Sequence, residues 1–116
     1  MNKIIIGIFV LFTIFNLAVS DNWTLTNTLS SQWTAPEGTW SVFNCQLTNN
    51  GAQVTLLRID PNGQYPDSIW GAFYYDSTTD TYPVEGWAAT FQEQQTVNFG
   101  YKVLSANPID WDVIVQ

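Results

Sequence analysis

Residues 95–104 read Gln-Thr-Val-Asn-Phe-Gly-Tyr-Lys-Val-Leu. Val97, Phe99, Tyr101 and Val103 share one parity, while Asn98, Gly100 and Lys102 share the other. A period of two is the pattern of a strand with one buried face, so the first set is assigned to a core and the second to solvent. The pattern returns after a turn at 105–108. In residues 109–115 (IDWDVIV), Ile109, Trp111, Val113 and Val115 alternate with Asp110 and Asp112, which makes Trp111 a core tryptophan.

Working back along the chain gives more strands and no helical period. Residues 81–93 look irregular, broken by Pro83 and Gly86. Residues 69–75 (IWGAFYY) read as a strand that ends at Asp76-Ser-Thr-Thr-Asp80. Residues 53–59 (QVTLLRI) form another, closed by Asp60-Pro-Asn-Gly63, and 40–48 (WSVFNCQLT) another, followed by Asn49-Asn-Gly51. Residues 23–29 (WTLTNTL) alternate large residues with Thr, with Trp23 in phase with Leu25 and Leu29. Short strands separated by turn residues every eight to twelve positions predict an all-β fold, an antiparallel immunoglobulin-like β-sandwich.

Several aromatic residues do not fit the inward set. Phe43, Cys45 and Leu47 are the apolar parity of their strand, which leaves Trp40 with Asn44, Gln46 and Thr48 on the other face. If Ile69 and Phe73 point inward, Trp70, Ala72 and Tyr74 point outward. Trp87 belongs to no strand pattern, and Trp33 has the parity of Leu29 only if the phase holds across Ser30 and Ser31. Large aromatics left outside a small core mark a binding surface. An indole face can lie on the C–H face of a pyranose, removing about 50–100 Å² from water, worth about 1–2 kcal/mol. Amides and hydroxyls alongside pair with sugar hydroxyls at no charge penalty.

Charge excludes other partners. The chain has three Lys and Arg against ten Asp and Glu, a net charge of −7. Phosphate backbones and anionic lipid require clustered basic residues, so neither nucleic acid nor a membrane surface is expected as a partner. Histidine is absent, which removes the commonest general base and metal ligand. Cys45 is the single cysteine, in phase with Phe43 and Leu47, and is expected to be a buried, inert thiol. Asp110 and Asp112 flank a core tryptophan, and no substrate cleft is expected between them, so no catalytic residue is assigned. Asp60, Asp67, Asp76 and Asp80 lack the spacing of a calcium loop and read as turn residues. No metal and no cofactor are expected.

The N-terminus has the anatomy of a secretory leader. Met-Asn-Lys precedes the apolar run 4–12 (IIIGIFVLF), and Ala18 and Ser20 are small residues placed for cleavage after Ser20. The expected organisation is a signal peptide at 1–20 and one domain at 21–116, secreted and monomeric. Asn22-Trp23-Thr24 is a glycosylation sequon.

The sequence resembles family-49 carbohydrate-binding modules, cellulose-binding β-sandwiches found at the C-terminus of plant glycoside hydrolases and in small secreted proteins. The matching stretches are SSQWTAPEGTW (30–40), FNCQLTNNG (43–51), SIWG (68–71), TYPVEGW (81–87) and NFGYKVLSA (98–106). The resemblance implies that Trp33, Trp40, Trp70 and Trp87 line a cellulose-binding surface. It also implies a non-catalytic role, with cellulose or a related β-glucan as partner. Asn44, Gln46 and Tyr74 are the polar neighbours that could set register. The sequence departs from the family's Leu-Pro before Trp87 and from its Pro-Gly before the Phe-Gly-Tyr strand. The competing expectation is an immunoglobulin-like module that binds another protein with the same aromatic patch. A spread row of aromatics fits a polymer, whereas a compact cluster ringed by acids fits a protein.

Overall fold

The computed structural model describes residues 14–19, 22–55, 57–86 and 90–115, and for 14–19 the backbone alone. Ten strands follow in order: β1 (Ile14–Val19), β2 (Trp23–Ala35), β3 (Gly38–Asn49), β4 (Val54–Thr55), β5 (Arg58–Asp60), β6 (Ser68–Gly71), β7 (Tyr82–Pro83), β8 (Thr90–Phe91), β9 (Thr96–Leu104) and β10 (Asp112–Ile114). A five-stranded sheet has the order β1-β2-β3-β9-β6, a second has the order β10-β5-β7, and β4 pairs with β8. Every pairing is antiparallel. The fold is an all-β sandwich, as the alternation requires.

The inward parity of the large sheet builds the core. Leu25, Leu29, Phe43, Leu47, Val97, Phe99, Tyr101 and Val103 are buried, and so are Leu57, Ile59, Tyr82, Phe91, Ile109 and Trp111 from the rest of the chain. Trp111 meets the edges or faces of Tyr82, Tyr101 and Phe99 at centroid distances of 5.3, 5.4 and 6.1 Å. Each such side chain contributes about 1.5–3 kcal/mol of burial free energy. Asn27 is the polar exception on β2. Its Oδ1 accepts hydrogen bonds from Cys45 Sγ (3.0 Å) and Tyr101 Oη (3.2 Å), and Tyr101 Oη in turn accepts from the Ile109 amide at 2.8 Å. Burial pushes the Cys45 thiol well above its ordinary pKa, which keeps it protonated and unreactive.

Residues 53–59, read as one strand, are divided between β4 and β5 of different sheets, and four further details depart from the alternation. Strands β2 and β3 run longer than 23–29 and 40–48 and form one hairpin, turned at Pro36-Glu37. Pro36 presets the φ that the turn requires, and Gly38 takes φ +143°. Ala72, placed outward by parity, is fully buried. Gly71 has φ +93°, which breaks the pleat and turns both Ala72 and Phe73 inward. The segment 81–93, read as irregular, supplies β7 and β8, strands too short to show a period. Finally, Val115 is 45% exposed, because pairing of the last strand ends at Ile114.

β1 lies within the segment read as a leader. It is an edge strand beside β2, with Leu17 opposite Thr26 and Val19 opposite Thr24. A cut after Ser20 would make β2 the sheet edge. The face described next lies on β2, β3, β9 and β6 and uses no residue of β1.

Candidate functional site

The outward parity of the large sheet is its solvent face, and the register places its residues in rows. One row runs Thr28, Asn44, Gly100, Trp70 across β2, β3, β9 and β6. The next runs Ser31, Val42, Lys102, Ser68, and a third runs Trp33, Trp40, Leu104. Towards the other end lie Thr26, Gln46 and Asn98, then Thr24, Thr48 and Thr96.

Trp33 reaches this face through a β-bulge. The register steps from Leu29↔Phe43 to Ser31↔Val42, so Ser30 is an extra residue. The extra residue reverses the parity. Without the bulge Trp33 would follow Leu29 into the core; with it, Trp33 lies opposite Trp40 and is 43% exposed. Simple alternation therefore misassigns this residue.

Trp40 is half-buried and held at both its edge and its face. Its Nε1 donates to Glu37 Oε2 at 2.6 Å, and this hydrogen bond lowers the Glu37 pKa. The Lys102 ammonium lies 4.9 Å from the Trp40 ring centroid, a cation–π contact, and 3.3 Å from Asp67 Oδ2.

Trp70 is 42% exposed and lies across β9. Its Cε2 and Cζ2 are 2.6 and 2.8 Å from where a Cβ on Gly100 would stand. The indole can lie down on the sheet only because residue 100 has no side chain. Beside it is a shallow cleft of about 570 Å³ lined by Thr28, Asn44, Gln46, Trp70, Gly71 and Asn98, with Cys45 and Phe99 beneath.

Trp40 and Trp70 thus stand on one face of the sheet. They are four residues apart along the strands, about 13 Å, and two strand spacings apart across them, about 9–10 Å. Trp33 is one strand further out. The rows of the face carry one charge, Lys102, which is paired with Asp67, and the Glu37 carboxylate borders it at the Trp40 edge. Three indoles spread over one sheet face, with hydroxyls and amides between them, can stack on separated rings of an extended polymer and pair with its hydroxyls.

Of the residues singled out from the sequence, Trp33, Trp40, Trp70, Asn44 and Gln46 are brought together on this face. Trp87 lies outside the described residues. Tyr74 is not part of the face. It is exposed in a separate groove with Tyr65, Tyr75 and Tyr82, its amide donating to the Pro83 carbonyl at 3.2 Å. Asn98, Gly100, Lys102 and Thr28 belong to the face and were not singled out, although the alternation of β9 and β2 already put them outside. Asn22 of the sequon is exposed beside Gly51. Asp60 and Asp76 accept hydrogen bonds from the amides of Asn62 and Thr78, both at 3.0 Å, which is turn chemistry. Among the described residues no three His, Cys, Asp or Glu side chains are grouped to hold a metal.

ChBD3 from Thermococcus kodakarensis KOD1 is similar in structure, with a TM-score of 0.47 and 13% identity over 87% of this chain and 92% of that one. Chitinase ChiA74 from Bacillus thuringiensis is similar with a TM-score of 0.46 and 16% identity, over 83% of this chain but only 20% of that one. No curated protein matches the sequence. The family model of the carbohydrate binding domain CBM49 matches residues 12–103. That span takes in β1 to β8 and nearly all of β9, so the chain belongs to the CBM49 family of carbohydrate-binding domains.

Proposed function

We propose that this chain is a secreted, non-catalytic module that adsorbs to cellulose or a related β-glucan through Trp33, Trp40, Trp70 and Trp87. The observation that carries this reading is the placement of Trp33, Trp40 and Trp70 on one open sheet face. A polymer with repeated flat rings meets such a face at several points, and each stacked ring contributes about 1–2 kcal/mol. Rigid aromatics lose little entropy on binding. Asn44 and Gln46, with Asn98 and Thr28 beside them, supply hydrogen-bonding groups between the stacking points. Trp87 is assigned by family resemblance. A protein partner would be better matched by a compact cluster with an acidic rim than by this spread row.

The test is a pull-down on microcrystalline cellulose with wild type, Trp70→Ala and Trp33→Ala, each checked for folding by circular dichroism. Wild type should sediment, and each folded variant should bind roughly tenfold more weakly. Folded wild type that ignores cellulose and other β-glucans would overturn the reading.

A further inference from the structure

Beyond the edge of β6, on the side away from β9, lies a second groove that the tryptophan face does not use. It has a volume of about 510 Å³ and is lined by Tyr65, Pro66, Asp67, Ser68, Ile69, Tyr74, Tyr75 and Tyr82. Tyr65, Tyr74 and Tyr75 are 44, 43 and 48% exposed. They come from two loops, 61–67 and 72–81, and one carboxylate ties these loops together. Tyr65 Oη donates to Asp80 Oδ2, and Tyr75 Oη donates to Asp80 Oδ1 at 2.8 Å. Behind them Tyr75 packs on buried Tyr82 (5.2 Å between centroids), which packs on Trp111 (5.3 Å). The rings are therefore held in place before any ligand arrives.

We propose that this groove is a second carbohydrate site, for a single soluble strand of neutral polysaccharide. The proposal rests on the β-glucan reading of the tryptophan face. Three features select this occupant. The exposed walls are aromatic rings fixed by a hydrogen-bonded clamp, which suits stacking on sugar faces at little entropic cost. The polar groups that line the groove, the Asp67 carboxylate and the Ser68 hydroxyl, accept hydrogen bonds from sugar hydroxyls, and the carboxylates of Asp67 and Asp80 repel anions. The groove is also continuous with the tryptophan face. Ser68 lines the groove and shares a row with Lys102 and Val42, and Asp67 is bound to Lys102, which lies over Trp40. A polymer adsorbed on the flat face can thus leave a loose strand at the β6 edge, where the groove would receive it.

The two surfaces separate by ligand form. Cellohexaose, a soluble probe, is titrated calorimetrically into wild type, Tyr65→Ala, Tyr75→Ala and Trp70→Ala, with cellulose pull-downs in parallel. Tyr65 and Tyr75 are exposed, so their variants should keep the wild-type circular dichroism. Binding of cellohexaose should fall roughly tenfold or more in the tyrosine variants and change less than about twofold in Trp70→Ala. Sedimentation with cellulose should show the reverse. Cellohexaose binding lost in Trp70→Ala but unmoved by the tyrosine variants would overturn the second site and leave the first standing. Loss in both sets would make the groove one end of a single site and overturn its independence. Sedimentation with cellulose without any binding of cellohexaose would overturn the groove alone. Absence of both would overturn the β-glucan reading itself.

Discussion

Gly100 and Trp70 are adjacent across β9 and β6, and each determines what the other can do. The indole occupies the space where a Cβ would project. A Gly100→Ala substitution puts its Cβ against the Trp70 indole, a part-exposed side chain that has to swing away. The expected outcome is a folded protein, within about 1 kcal/mol of wild type by chemical denaturation, with cellulose adsorption reduced almost as far as in Trp70→Ala. Equal adsorption by wild type and Gly100→Ala would show that the lie of the indole on the sheet is unimportant. At the same scale, the Asp80 clamp has a pH signature. Hydrogen bonding to Asp80 pushes Tyr65 up to about 12 and raises Tyr75, while the same bonds lower Asp80. A lowered carboxylate gives a contribution present above its ordinary 3.8 and lost as pH falls through the lower, folded value. A raised phenol gives one present below 10.0 and lost as pH rises towards about 12. The clamp should hold across the whole range between. Absorbance titration of Asp80→Asn should show tyrosine ionisation moving back towards 10; an unchanged curve would mean that the clamp does not form in solution.

Among the elements, β6 is the strand that links the core, the tryptophan face and the tyrosine groove. It has only four residues, and Gly71 closes it with φ +93°. A Cβ there would lie 2.7 Å from the Asn98 carbonyl oxygen and 2.8 Å from Phe99 Cα, which are backbone atoms and cannot swing aside. Gly71→Ala should therefore destabilise the fold by about 1–3 kcal/mol, measured by denaturant unfolding. Gly71 and Gly100 both lie in the sheet, on neighbouring strands, yet they separate stability from binding. The bulge at Ser30 acts on the same scale. One extra residue in β2 sends Trp33 outward after Leu29 has gone inward. The sequence shows two serines at this point and nothing that says the phase will change. The decision comes from the partner strand, whose Trp40 and Val42 already face out.

For the molecule as a whole, the two sides of the large sheet divide the tryptophans between stability and recognition, with Trp111, just before β10, packed against the inner side. Trp111 is 4% exposed and contacts Tyr82, Phe99 and Tyr101, so Trp111→Ala should cost about 3–5 kcal/mol and unfold a domain of ordinary stability. Trp70→Ala should change the unfolding free energy by under about 1 kcal/mol while weakening adsorption. If Trp111→Ala remained folded with full stability, the assignment of this ring to the centre of the core would be wrong. The sequence by itself determined the class of fold, since a period of two over β3 and β9 leaves a sheet with one wet face no other reading. It also determined that Trp40, Asn44 and Gln46 would be outside and that Trp23 and Cys45 would be inside, because parity within one regular strand is a local property; alternation pointed the same way for Trp70, in four-residue β6, and for Trp111, just before β10. Tertiary structure alone decided the rest. Trp33 joined the face through a bulge set by pairing with β3. Ala72 went to the core and Tyr74 to a separate groove because Gly71 takes a backbone angle that ends the pleat. Gly100 became a platform because β6 pairs with β9 at that register. Each of these depends on how strands pair or on where the backbone leaves the pleat, and alternation carries no information across a break in phase.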